Sequence, residues 1–524
     1  MFPVLQYAND TLILFHGSME QATIIKKIMS DFSAFFGLQI NYHKSTLIPI
    51  CIDTSTTDAI VGLFGCPASS FPCTYLGLPL SLHKVRHDLL LPVIHKVDKR
   101  LSGWMATLLS WGGRLTLINS VLASIPSYFM TCFRWPKECI HKLEGLLRSF
   151  LWQGTSTAKG GQCLVAWHFV TMTRSAGGLG VRDLSAHNQA LLTKFAARVL
   201  EYSNYSNVPC YQWFAQQYYH GSLPRRNYAR DTAIWNGFKQ SIPMILASSK
   251  CSLGSGKLIS FWHDCWLLMG CLSSALPTLY TFARDQDCSV ASQRSQGSWH
   301  LQFHPNLSAT ANNDLQLLHS VLASAMPSSN RPDTRFSAIN NKTITAAHVY
   351  ELLTFRGMSC VYSSWIWDRI IPLKHRVFLW LLFWGRLNTR DNMMKKHWTS
   401  IVTQKDCVIY PAPESASHLV LRCYPASVIW DVFGLNDLAS SSLDLLSFVE
   451  QAEQRWPATS KFHILFAAPA VTTWHARNDR VFNSKRWSSA YIKQYVTQLL
   501  HLWQSRSREQ DDNDAMDAWT HCLA

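Results

Sequence analysis

The stretch LQYANDTLILFHG, Leu5 to Gly17, places apolar, β-prone residues on both sides of Ala8-Asn9-Asp10. That pattern predicts a strand, a tight turn and a second strand packed on a core. A carboxylate at such a tip is one way to hold a hard divalent cation. Oxygen ligands suit the ion, and two or more charges are needed where phosphates must also be balanced. Here the tip offers Asn9 and Asp10, one amide and one acid. Downstream, Ser18-Met19-Glu20-Gln21 fits a capping box, Ile24, Ile28, Phe32 and Phe35 recur at helical spacing, and Gly37 supplies a stop. Leu38-Gln39-Ile40-Asn41 reads as a third strand. Residues 1–50 are therefore expected to form one sheet with a helix laid on it.

The chain is 524 residues long, enough for about two to four domains. Hydrophobic residues make up 48% and charged residues 15%, a composition that folds. The formal charge of +15 and a pI near 9.2 suit a polyanionic partner, nucleic acid first, and equally an ordinary basic soluble protein. The 15 cysteines lack the dense spacing of a secreted disulfide framework, so reduced thiols in an intracellular protein are expected. No secretory n-region opens the chain. The longest apolar run, Val377 to Trp384, is far short of the ~20 residues of a membrane span.

After the extended stretch TYLGLPL, residues Leu90, Val93, Ile94, Val97 and Leu101 mark one helix face, with Lys96, Lys99 and Arg100 largely opposite. Further helices are predicted from about Gly113 to Ile125, broken by Pro126, and from about Lys137 to Trp152. Lys84, Arg86, Lys96, Lys99, Arg100 and Arg114 are candidates for phosphate contacts; the alternative is a solvated basic surface. In LGSGKLISFWHDCW (253–266), Gly254-Ser255-Gly256 is only superficially like a phosphate loop, because no Lys-Ser or Lys-Thr follows at the required spacing. A turn before a strand at Leu258–Trp262 is expected instead. Residues 285–335, rich in Ser, Asn, Gln and Pro, read as a linker or irregular insertion. From 336 a compact unit is expected: a short strand, a helix, a break at Pro372, an apolar helix over 374–384 and a helix opened by Thr389. The tail from 440 is helical in pattern and carries an acidic cluster, Asp511 to Asp517.

Two further constellations bear on chemistry. Lys44, in GLQINYHKS, follows the predicted third strand and could meet a phosphate or simply face solvent. CVIYPAPESASHLVLRC (407–423) holds Cys407, His418 and Cys423. A knuckle of the form C-x2-C-x7-H-x4-C would require Cys at 410, where Tyr410 stands. A structural zinc site uses four ligands, so weak zinc binding or none is expected here.

The order of these motifs resembles the reverse transcriptase of plant LINE-type (non-LTR) retrotransposons. QYANDTLILF is similar to the family's Tyr/Phe-Ala-Asp-Asp box, and GLQINYHKS to its next block. YLGLPL, LSWGGRLTLINSVLASIPSYFM and GGLGVRDL resemble the thumb and the segment after it, and FWHDCW a recurrent element. WIWDRIIPLKHRVFLWLLFWGRLNTRDNM with the Cys/His run resembles the family's zinc-binding domain, and WHARNDRVFN the block after it. The resemblance implies an α+β, mostly helical chain. It would comprise a residual palm over 1–50, a thumb-like helical domain over 51–155, a connecting region over 156–335, a zinc-binding-like domain over 336–432 and a helical tail over 433–524. It implies an ancestral RNA-directed DNA polymerase using Mg²⁺ at paired carboxylates. Asp10 is then a remnant, Asn9 the degenerate Asp position and Lys44 a nearby cation. Because the sequence begins just before the hairpin, the fingers and the palm strand with the partner carboxylate are expected to be missing. Mg²⁺ would not be held productively, and the copy would be inactive alone. The partner implied is RNA, DNA or a hybrid duplex, and the location implied is nuclear. The alternative is a non-catalytic nucleic-acid-binding protein indifferent to sequence.

Overall fold

The computed structural model describes residues 4–82, 86–102, 108–157, 162–202, 209–220, 223–224, 231–295, 297–325, 331–357, 359–398, 403–455 and 461–524. The chain divides into two compact units, Met1–Leu90 with Ala229–Asn236, and Leu91–Tyr228 with Gly237–Ala524.

In the first unit, β1 (Val4–Tyr7) and β2 (Asp10–Ile13) form an antiparallel hairpin with Tyr7 opposite Asp10. The turn is Ala8-Asn9, with Ala8 in the left-handed region, so Asp10 opens the second strand. Among the described residues these strands pair only with each other. The expected third strand at Leu38–Asn41 does not form. Asn41 instead accepts the Lys44 N–H on its side-chain oxygen at 3.1 Å and the Ser45 N–H on its carbonyl at 3.1 Å. A side-chain amide offering this local bond competes with a β-ladder. Nor is the hairpin packed on a core as expected, since Val4, Leu5 and Tyr7 are all exposed.

Helix α1 (Met19–Phe36) begins as its capping box predicts: the Ser18 hydroxyl accepts the Gln21 N–H and the Gln21 amide oxygen accepts the His16 N–H. Gly37, at φ 67°, ends it. Its buried side is Ala22, flanked by Ile25 and Met29 and packed on Ile60 and Phe64 of α2 (Thr54–Phe64). The stripe Ile24, Ile28, Phe32 and Phe35 points the other way and is exposed. TYLGLPL is itself a hairpin, β3 (Cys73–Tyr75) and β4 (Leu78–Leu80), turning at Leu76-Gly77.

In the second unit, α3 (Leu91–Ser102) buries Val93, Ile94, Val97 and Leu101 as its spacing predicts. Next come α4 (Trp111–Leu117), prolonged by a π-helical turn, α5 (Ser127–Cys132) beyond Pro126, and α6 (Lys137–Gln153). Gly112 in α4 lies so near the helix Leu373–Phe383 that an added Cβ would sit 2.7 Å from the Lys374 nitrogen. The GGLG segment docks on the same helix: the Gly177 carbonyl accepts indole N–H groups from Trp380 at 2.7 Å and Trp384 at 3.0 Å. An added Cβ on Gly178 would collide with the Met172 carbonyl, which accounts for glycine there.

The Gly254-Ser255-Gly256 turn does hold an anion, and the anion is internal. The N–H groups of Gly254, Gly256 and Leu258 donate to the Asp333 carboxylate at 2.8, 2.8 and 2.9 Å. The strand expected at Leu258–Trp262 is absent; a single bridge, Ser260 to Ser289, remains. The linker expected over 285–335 is also corrected. Its helix Ala309–Leu322 buries Ala311, Leu318 and Leu322 against Phe261, Trp262 and Val290. Apolar residues at helical spacing outweigh a polar composition. The helix Leu373–Phe383 is buried around most of its circumference, and Thr389 caps Arg390–Lys395. The longest helix among the described residues, Phe462–Phe482, carries Pro469 within it. Among the described residues no helix is long and apolar enough to cross a membrane.

Candidate metal centre

Cys407 lies on a tight loop closed by its own N–H to the Ala412 carbonyl at 2.8 Å and by Glu414 N–H to the Lys405 carbonyl at 2.8 Å. His418 lies on the π-helical turn His418–Arg422, and Cys423 stands just before the helix Tyr424–Val432. The chain thus returns two donors to the first, and all three side chains are buried. Their ligand atoms lie within 4.8 Å of one another.

The two sulfurs are 3.8 Å apart. A disulfide needs ~2.05 Å, so these are thiols. The edge of a tetrahedron with zinc–sulfur bonds of ~2.3 Å is ~3.8 Å, which is the observed spacing. Among the described residues His418 Nε2 is buried with no hydrogen-bond partner, a costly state for a ring nitrogen unless something else uses it. The Cys423 S–H beside Cys407 pulls the Cys407 thiol down, helped by His418 and by the Ile409 and Tyr410 N–H groups. Cys423 is pushed up by the same contact and by burial. Proton loss is thus eased at Cys407. The donor set fits zinc at three corners. Tyr410 occupies the sequence position of the fourth; it is about half exposed, its ring 5.9 Å from the His418 ring.

The wall behind the site comes from residues that sequence reading missed. Trp474, on Phe462–Phe482, packs on Cys407, Leu419 and Cys423 and lies 5.9 Å from Phe378. Glu414 is fully buried. Its Oε1 accepts from Arg477 Nη2 at 2.6 Å and Nε at 3.1 Å, and from the Arg390 N–H at 2.9 Å. The Arg477 guanidinium lies over the Trp474 ring. This ion pair ties the Cys407 loop to the long helix. The available signal was an acid set close before the apolar His418–Leu421 run and a Trp-x-x-Arg pair on one helix face.

The Cys407, His418 and Cys423 cluster contains none of the other candidates. Asp10 and Lys44 are both exposed, and among the described residues neither forms an ion pair. Lys96, Lys99 and Arg100 are exposed together on α3. Arg86 is exposed and pairs with Asp88 at 3.5 Å; Lys84 lies outside the described residues. Arg114 is not available to a phosphate. It is buried at 8% exposure and donates to the Leu151 carbonyl at 3.3 Å, because α4 is packed against both α6 and Leu373–Phe383.

A family model described as zinc-binding in reverse transcriptase matches residues 345–430. The match contains Cys407, Tyr410, Glu414, His418 and Cys423 and ends before Trp474. An Arabidopsis thaliana protein described as putative ribonuclease H protein At1g65750 is 27% identical over 368 residues, covering 67% of this chain and 57% of that protein. The Arabidopsis thaliana uncharacterized mitochondrial protein AtMg00310 is 27% identical over 149 residues, covering 28% of this chain and 94% of that protein. The chain therefore spans less than two thirds of the first relative. These similarities support a reverse-transcriptase-related protein with a zinc-binding-type region.

Proposed function

We propose that this chain is the C-terminal part of a plant LINE-type (non-LTR) retrotransposon reverse transcriptase, that it binds nucleic acid, and that it does not polymerise alone. The observation that carries the reading is the convergence of Cys407, His418 and Cys423 inside the matched region. When bound there, zinc would cross-link the Cys407 loop to the His418–Cys423 turn. Three side chains and a phenol make a weaker site than four Cys or His donors, which are the ligands structural zinc sites use. Tyr410→Cys should tighten zinc binding by about 100-fold, the share of one ligand in a four-ligand site. Metal analysis after dialysis against a mild chelator tests this: the parent should lose zinc and the variant keep it. Near-stoichiometric zinc in the parent would overturn the weak-site reading.

The absence of polymerase activity rests on the tip of the first hairpin. Asp10 is its single carboxylate, and two-metal phosphoryl transfer needs more than one. Mg²⁺ would be held poorly. Primer extension on an RNA template with Mg²⁺ or Mn²⁺ should give no product, for the parent or for Asn9→Asp. Incorporation by either defeats the proposal. The second reading, a non-catalytic binder indifferent to sequence, is favoured by the exposed cations of α3. Each phosphate-binding cation removed there should flatten the log-affinity against log-salt slope for B-form duplex by about 0.9. Unchanged duplex affinity on charge reversal at Lys96, Lys99 and Arg100 would make that face a merely solvated one.

A further inference from the structure

We propose that Cys265 and Cys271 form a reversible thiol-modification site that takes a small-molecule disulfide of the glutathione class and resolves it to an internal Cys265–Cys271 bond. The site is independent of the nucleic-acid reading and of the candidate metal centre. It lies in the second unit, on a turn that leads into the short helix Leu272–Ala275. Leu267 and Gly270 bridge antiparallel, the Gly270 N–H donates to the Leu267 carbonyl at 3.1 Å, and Gly270 stands at φ 90°. The chain therefore doubles back between the two cysteines, and their thiols hydrogen-bond each other. A disulfide requires two sulfurs that face each other in this way. The backbone is pinned on both sides of the turn. The Cys265 carbonyl accepts the Cys251 N–H at 2.8 Å, and the Ser273 N–H donates to the Trp262 carbonyl at 2.9 Å.

Four cysteines gather in this region and divide into two kinds. Cys251 and Cys288 are buried in the core around Phe261, and burial pushes both thiols up to about 12. Buried thiols of that kind are inert. Cys265 and Cys271 are half-buried, and Leu268 at the tip of the turn between them is fully exposed. The Cys271 sulfur lies 3.3 Å from Ser274 Oγ and 3.5 Å from Ser273 Oγ. Burial opposes ionisation of Cys271, but these hydroxyls, the Ser274 N–H and the Cys265 thiol outweigh it and bring the thiol below its ordinary value. Burial, and then charge on Cys271, pushes Cys265 up. The thiolate is the attacking species, so Cys271 attacks and Cys265 resolves. The Cys271 thiolate attacks one sulfur of oxidised glutathione, a protein–glutathione bond forms, and one glutathione leaves as its thiolate. Cys265 gives its proton to solvent and attacks the Cys271 sulfur. The internal disulfide forms as the second glutathione leaves. Two protein thiols are oxidised, one small-molecule disulfide is reduced to two thiols, and the two protons end on them.

Peptide mapping provides the test. The reduced full chain is incubated with oxidised glutathione near neutral pH, quenched with acid, alkylated, digested and read by mass spectrometry. The parent should yield a linked Cys265–Cys271 peptide that dithiothreitol reverses. Cys265→Ser should hold glutathione at Cys271, because no thiol resolves it. Cys271→Ser should take up glutathione at Cys265 about ten-fold more slowly. Thermal midpoints report folding; should either variant be unstable, the parent map decides. If Cys265 and Cys271 stay reduced in the parent, the proposal fails, and uptake at the exposed Cys51, Cys210 and Cys522 in the same digest shows that the reagent was active. Glutathione on both cysteines of one chain, with no bond between them, would equally overturn it. Equal rates of uptake in the two variants would overturn the assignment of Cys271 as the attacking thiol.

Discussion

Helix α1 and the helix Leu373–Phe383 are both rich in large apolar side chains, and they end in opposite surroundings. Ile24, Ile28 and Phe35 of α1 are 52%, 61% and 87% exposed, whereas Val377, Trp380 and Leu381 are fully buried. Apolar content does not explain the difference; partners do. Helix α1 has two apolar sides and packs on α2, which covers Ala22, Ile25 and Met29. Leu373–Phe383 is met by α4, by the Gly177 turn and by Phe462–Phe482. Around it even polar groups are matched, as in the Trp380 bond to Gly177. The candidate metal centre stands in the enclosed region, where a set of donors can be held before any ion arrives. The hairpin with Asp10 stands in the open one.

Breaking the enclosed region should cost most. Arg477→Met leaves the Glu414 carboxylate buried without its cation and should destabilise the second unit by ~3–5 kcal/mol. Chemical denaturation reads the stability, and in the Tyr410→Cys background zinc retention should fall with it because the Cys407 loop loses its tie. A loss below ~1 kcal/mol would show that water reaches Glu414 and that the enclosure is looser than its packing implies.

Acid should sharpen the contrast next. Burial pushes His187 down to about 4 and His375 down to about 3, from an ordinary value of 6.5. Both fold as neutral rings while the unfolded chain takes up protons below 6.5. Their stability is therefore complete above the unfolded value and is lost as pH falls through the window from 6.5 towards the folded values. The two full shifts would total about 6 kcal/mol by about pH 4, and screening by the solvent that reaches the half-buried His187 ring should reduce the combined loss to about 3 kcal/mol. Melting against pH should show this limb, and His375→Gln should flatten part of it. A flat profile from about pH 7 to about pH 4 would mean that these rings are solvated.

The smallest effect belongs to the open region. Ile28→Ser and Phe35→Ser should change stability by no more than about 0.5 kcal/mol, as exposed sites do. Phe64→Ala, in the small core beneath them, should cost ~3 kcal/mol. Equal losses at Phe35 and Phe64 would show that the outer stripe of α1 is covered in solution.

Much of this was legible locally. Ser18 and Gly37 bracket α1, Pro126 and Pro372 precede helices, and the exposed face of α3 follows from its period. Cys407, His418 and Cys423 were legible as a set because their spacing closes a short loop. The failures had a common cause. Leu38–Asn41 has strand-like residues, but Asn41 is held in a turn. Arg114 looks like a surface cation, yet α4 is packed on two helices. Residues 285–335 look like a linker, yet the apolar positions of Ala309–Leu322 find Phe261 and Trp262.

The sequence alone therefore determined where helices start and stop, which side chains can donate to a metal, and that Asp10 stands beside an amide. Caps, proline breaks and periodicity act within a few residues and need no distant partner. Tertiary structure decided which of α1's two apolar stripes is buried and that Trp474 and Arg477 wall the candidate metal centre. It also decided that the turn at Gly254 holds Asp333, a residue 79 positions along the chain. Those outcomes depend on contacts between segments far apart in the chain, and no local pattern encodes which of several compatible surfaces will meet.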